Sequence, residues 1–156
     1  MDLRSESLKV VVHFADGTII KGSTQDFHPD RPLFRIVLLN GVDTIPVKAA
    51  QLKAVFFVKE LDNDYRGLRV KDFSPSDGNR ANGRPVAVLF QDGEMMVGYT
   101  HSYNPDRQGF FMVPVDPDDN NQRIFVVKSA AKTLKLGPAA EEFARATNRA
   151  TETRAT

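Results

Sequence analysis

Two short segments of this sequence carry the same chemical set. Phe27-His28-Pro29-Asp30-Arg31 and Tyr103-Asn104-Pro105-Asp106-Arg107 each place an aromatic ring, a proline-fixed bend, a carboxylate and a guanidinium within five residues. Arginine and aromatic side chains dominate binding hot spots, so the pattern points to recognition rather than bond making. Turn chemistry alone asks for the same residue types, with proline second in the turn and aspartate capping it or pairing with the neighbouring arginine. Asn120, Asn121 and Arg123 follow in the second half. The candidate binding set is therefore Phe27, Asp30, Arg31, Tyr103, Asn104, Asp106, Arg107, Asn120, Asn121 and Arg123.

Catalysis and metal binding find little support. The three histidines, His13, His28 and His101, have neither HxH nor HExxH spacing, and no GxSxG, P-loop or GxGxxG is present. Asp116-x-Asp118-x-Asn120 opens like a calcium loop, but Asn121 and Val127 stand where glycine and a bidentate glutamate are needed. A hairpin loop with Asp and Asn bonded to their own backbone is the expectation there. With no cysteine in the chain, disulfides and thiolate chemistry are excluded. The reading is a non-enzyme with no cofactor and no metal, the remaining alternative being an enzyme whose site assembles only in space and is not visible in the sequence.

Charge narrows the partners. Lysine and arginine number 21 against 20 acids, for a net charge of +1, which supplies no long-range field for a polyanion or an acidic membrane. An Sm-like site for single-stranded RNA, built from Tyr103, Asn104, Arg107 and Arg123, is the main rival to a protein-binding surface. Asp30, Asp106, Asp116, Asp118 and Asp119 beside it would repel phosphate. The polar start from Met1 to Ser7 contains no signal-peptide core, and Ala54–Val58 is too short to span a bilayer. The expected address is the cytoplasm, with no membrane contact and a protein partner or a second copy of the chain.

The elements that hold these residues come in two sets. Shifted by 76 positions, residues 14–31 fall on 90–107 with eight identities in 18, including Asp16-Gly17 on Asp92-Gly93, Gly22 on Gly98 and Pro29-Asp30-Arg31 on Pro105-Asp106-Arg107. Ordinary residue usage gives about one identity in such a window. Beyond a longer loop in the second copy, Val47-Lys48 is expected to match Val127-Lys128. Each copy reads as three antiparallel strands, a hairpin, a helical turn and a closing strand, the wiring of small barrels. Gly22, inside the second strand, suggests a bulge or sharp bend. The expected fold is mainly β: two tandem SH3-like or Sm-like small β-barrels, packed face to face, with a short C-terminal helix. The boundaries are a first repeat at 8–60, a linker at 61–84, a second repeat at 85–137, then a helix from 138 that frays after 146.

Leu52-Lys53-Ala54-Val55-Phe56-Phe57-Val58-Lys59, Phe90-Gln91-Asp92-Gly93-Glu94 and Gly109-Phe110-Phe111 resemble an uncharacterised bacterial domain family. That family occurs in signalling proteins, sometimes beside PilZ domains, which bind cyclic di-GMP. The resemblance implies a bacterial regulatory or adaptor role and carries no functional residue with it. Arg80-x-x-x-Arg84 fits the first PilZ motif. Asp72-Phe-Ser74-Pro-Ser-Asp77 has an aspartate where the second needs glycine, and the two come in reversed order. The function expected is a protein-binding or scaffolding module in bacterial signalling, with cyclic di-GMP regulation as a further alternative.

Overall fold

The computed structural model describes residues 7–61, 68, 72, 73, 81 and 83–155. The first half forms strands β1 (Leu8–Phe14), β2 (Ile19–Thr24), β3 (Leu33–Leu38), β4 (Thr44–Lys48) and β5 (Leu52–Val58). The second forms β6 (Arg84–Phe90), β7 (Met95–Thr100), β8 (Gly109–Pro114), β9 (Asn121–Val127) and β10 (Ala131–Leu136), followed by helix α1 (Pro138–Ala155). A single 3-10 turn precedes β5 at Ala49–Gln51 and β10 at Lys128–Ala130.

The ten strands make one open antiparallel sheet in the order β10-β6-β7-β8-β9-β5-β1-β2-β3-β4. Each half contributes five strands in the same internal order. Their loop bonds match as well: the Phe14 and Phe90 amides donate to the Thr18 and Glu94 carbonyls, and the Ala49 and Lys128 amides to those of Pro32 and Gln108. These bonds align the two 3-10 turns at a shift of 79, so Val47 matches Val126 and Lys48 matches Val127. The expected match of Val47-Lys48 with Val127-Lys128 is therefore one residue out.

The expectation of two closed barrels packed face to face is corrected. Neither half closes on itself, because β5 pairs with β9 across the boundary (Ala54 opposite Val126, Val55 opposite Phe125), leaving β4 and β10 as edges. This lateral join explains the continuous apolar run of β5, which is buried along its whole length. Val55 and Phe57 pack with Val10, Val12, Phe34, Ile36 and Val47 of the first half. Ala54, Phe56 and Val58 pack with Val86, Val88, Met96 and Ile124 of the second. Strand β9 is shared in the same way, sending Phe125 and Val127 into the first-half core and Ile124 and Val126 into the second.

Gly22 and Gly98 mark close approach rather than a bulge: a methyl group on either would strike the carbonyl of Val37 or Val113 on the next strand. Bulges lie elsewhere, one of them in β9, where Gln122 is skipped opposite β5. Opposite β1, the residue skipped in β5 is Lys53, and opposite β6 the residue skipped in β10 is Lys132. Helix α1 runs to Ala155, well beyond the expected end near 146. Its Ala140, Phe143 and Ala144 cover Ala87, Met95, Val97 and Tyr99 on the outer face of β6 and β7.

Candidate functional site

The two Pro-Asp-Arg loops meet. Arg107 pairs with Asp30 of the other half, and the Gln108 side chain donates to the Pro29 and Arg31 carbonyls at 2.8 and 2.9 Å. The hydrogen bond from Arg107 holds the Asp30 carboxyl below its usual range. Both loops are built by one device. The Asp106 amide donates to Asn104 Oδ1 at 2.9 Å, and the Asp30 amide to His28 Nδ1 at 3.1 Å, so histidine replaces asparagine in the same turn. Arg31 and Asp106 are exposed. Tyr103 is half-buried with its ring edge-on to Phe110 at 5.5 Å, and the Lys128 ammonium lies 5.5 Å from its centroid.

Phe27 belongs to the core rather than to a contact surface. Its ring meets Phe34, Phe57 and Phe125 at 5.0, 5.3 and 5.2 Å, plugging the seam between the halves. Asn120 also joins the halves, accepting from the Glu60 amide at 3.0 Å and donating to the Glu60 carbonyl at 3.1 Å. Asn121 is buried, and Asp119 Oδ1 accepts from both its amide and its Nδ2 at 2.9 Å. The Asp116 carboxylate accepts from the Asp118 amide at 2.9 Å, so the calcium-like spacing belongs to a self-bonded loop whose Asp119 is nevertheless buried. No group of three metal-ligating side chains assembles among the described residues. Of the PilZ-like pattern, Arg80, Ser74 and Asp77 lie outside the described residues.

Arg123 is placed differently. Its guanidinium carbon sits 4.6 Å from the Phe57 ring centroid and 4.5 Å from that of Phe111. Desolvation by these neighbours lowers its pKa. No hydrogen-bond acceptor or carboxylate pairs with it among the described residues. A hollow of about 250 Å³ opens beside it, lined by Tyr99, His101, Ser102, Phe111 and Val113 among others. A second hollow of about 230 Å³ runs from Ser102 and Phe111 to Asn104, Arg107 and Asp30. The two share Ser102 and Phe111 and so form one groove, with Arg123 at one end and the paired loops at the other. The Ser102 hydroxyl accepts from the Phe111 amide at 3.1 Å and anchors the shared floor. Asp30, Asn104 and Arg107 thus line one hollow and Arg123 the adjoining one, while Phe27, Asn120 and Asn121 make contacts within the fold.

A second polar cluster has no counterpart among the candidate residues. Lys53 is 7% exposed and donates to Asp92 at 2.6 Å and to Glu94 at 2.5 Å, with its ammonium 4.9 Å from the Phe90 centroid. Burial alone would lower its pKa, but the hydrogen bonds it donates to both carboxylates, with their charges, outweigh burial and raise it. Burial likewise works to raise Asp92, and the Lys53 hydrogen bond overcomes it to leave that carboxyl lowered. The neighbouring His13 is pushed down to about 4, first by burial and then by the Lys53 charge. The one local signal was a lysine inside an apolar run, and its partners lie some 40 residues away in a turn already explained by Asp92-Gly93.

Fold and groove together define an all-antiparallel, single-sheet β protein of two like halves with a helix on one face. No helix among the described residues is long and apolar enough to cross a membrane. The chain belongs to DUF6982, a family of unknown function whose sequence model matches residues 6–137. It matches no curated protein and no solved structure.

Proposed function

We propose that this protein is a non-catalytic protein-binding or scaffolding module of bacterial signalling, derived by doubling a small-barrel unit and binding through the groove between its paired loops and Arg123. One observation carries the reading. Two loops chosen from sequence for their arginine, aspartate and aromatic content converge on an apolar floor, Phe110 and Phe111, beside a guanidinium stacked on aromatic rings. The strand order shared by the two halves favours the doubling. The RNA reading is weakened by the same geometry, since Asn104 is spent on its own turn and Arg107 on Asp30. The test is quantitative affinity capture from the native cell extract with the wild type and an Arg107→Ala, Arg123→Ala double variant. Loss of specific partners is expected from the double variant. Retention of every partner at wild-type level would remove the groove from the contact surface.

A further inference from the structure

We infer that the Arg123 end of the groove binds a peptide carboxylate carried next to an apolar side chain. This rests on the protein-binding reading and names the chemistry of the partner. Arg123 presents a fork of five N–H donors, and no acceptor within the described residues uses them. The fork is already positioned, since its central carbon rests 4.6 Å from the Phe57 ring centroid and 4.5 Å from that of Phe111. A pre-organised guanidinium loses little freedom when it closes on a planar, two-oxygen acceptor.

The rest of the lining sets the size and charge of that acceptor. The groove's other guanidinium, Arg107, is neutralised by Asp30, and no lysine lines either hollow. One uncompensated positive charge suits a carboxylate. Phosphorylated segments are typically held by clusters of arginines, and a nucleic acid needs several phosphate contacts. Beside the charge, Phe111 and Val113 on one face of β8 supply apolar surface, with His101 and Ser102 across the hollow. A glutamate or aspartate side chain and a chain terminus both carry such a carboxylate, and the test separates them.

The probes are acetyl-Phe-Glu-Leu-amide, its glutamine isostere, acetyl-Phe-Leu with a free carboxyl terminus, and inorganic phosphate. Each is titrated to about 10 mM into the ¹⁵N-labelled full chain while amide and arginine Nε–H signals are followed, a range that detects even millimolar affinity. The glutamate peptide or the free-terminus peptide should shift Arg123 Nε–H together with the Phe111 and Ser102 amides, and whichever binds tighter identifies the source. The glutamine isostere should bind about tenfold more weakly, the worth of one charge-assisted hydrogen bond. Arg123→Lys should weaken binding severalfold while leaving the thermal midpoint and the rest of the spectrum unchanged. Equal binding of the glutamate and glutamine peptides, equal response to inorganic phosphate, or no shift at Arg123 would each overturn the inference. A protein partner still captured by Arg123→Lys at wild-type level would also overturn it while leaving the protein-binding reading intact. The protein-binding reading falls separately, if the wild-type chain captures no specific partner.

Discussion

Replacing His13 by leucine isolates one link between this fold and pH. The imidazole is 7% exposed, tilted against Phe56 at 4.6 Å, and lies beside the Lys53–Asp92 pair. Its pKa falls from 6.5 to about 4 on folding. The unfolded chain therefore binds a proton that the folded chain refuses between those values, so stability rises with pH across that window and is lost on acidification. From pH 7 to 4.5 the linkage is worth about 2.5 kcal/mol for this group alone, at about 1.4 kcal/mol per pKa unit. Asp16, Asp30 and Asp92, whose pKa values are lowered from 3.8, add their losses mainly as the pH falls below that figure. The chosen window is thus largely free of them. Leucine is the natural replacement because Leu89 stands at the matching position of the second half and faces the same kind of bulged partner strand. Urea unfolding at the two pH values should show the wild type losing about 2–3 kcal/mol more than His13→Leu. In thermal melts the same difference is about 5–10 °C for a chain of this length. Equal losses in the two proteins would refute both the assigned burial and the neutral state of the imidazole.

Two further changes probe the join between the halves. Lys53→Met keeps the stem over Phe90 but strands two carboxylates; Asp92 is 51% exposed and recovers water, so the penalty should be about 1–2 kcal/mol in urea melts rather than the 3–5 of a fully buried pair. No loss on that change would mean the contact contributes nothing to the join. Giving both sheet edges the residues of the internal join (Pro46→Phe as at Phe125, Thr133→Ala as at Ala54, Lys135→Phe as at Phe56) should produce head-to-tail oligomers whose sedimentation coefficient climbs with concentration. A folded triple variant that stays monomeric would refute the claim that these three residues blunt the edges.

Local chemistry was legible and long-range pairing was not. The Asp-Gly turns at 16–17 and 92–93 and both Pro-Asp-Arg loops could be placed because each is closed by bonds between near neighbours, such as Thr18 to Asp16 and Asp106 to Asn104. Strand alternation placed β1 to β4 for the same reason. The β5–β9 ladder left no such trace, since an apolar run has the same pattern whichever strand it pairs with, and closing each half on itself was the simpler solution. Lys53 was hidden because a bulge turns it out of its strand's alternation. Helix α1 was expected to end near Ala146 because the sequence beyond is polar, whereas those turns stay helical to Ala155. In the groove, the arginines were found by residue type, but only the fold reveals that Arg107 is spoken for and Arg123 is not.

The internal join and the free ends are built from matching positions with opposite chemistry. At the join, Phe125 of β9 stands opposite Val55, and Ala54 and Phe56 of β5 are buried in the neighbouring half. At the free edge of β4, the Leu38 amide bonds the Asp43 carbonyl and the Arg35 amide turns away to Asp26, which sets the phase of the ladder. Pro46, paired with Arg35, therefore points its nitrogen outward and offers no donor where a third unit would need one. The other edge presents Thr133 and Lys135 in place of Ala54 and Phe56, and a lysine buried without a partner is costly enough to forbid the contact. The bulge lysines repeat the contrast: Lys53 is locked between Asp92 and Glu94 of the next unit, while Lys132 is exposed. The two free edges of a unit that pairs sideways at the join thus differ from the join by one missing N–H on β4 and one charge on β10. That leaves the groove beside the seam, whose Arg123 stacks on one ring from each half, as a feature a single unit could not form.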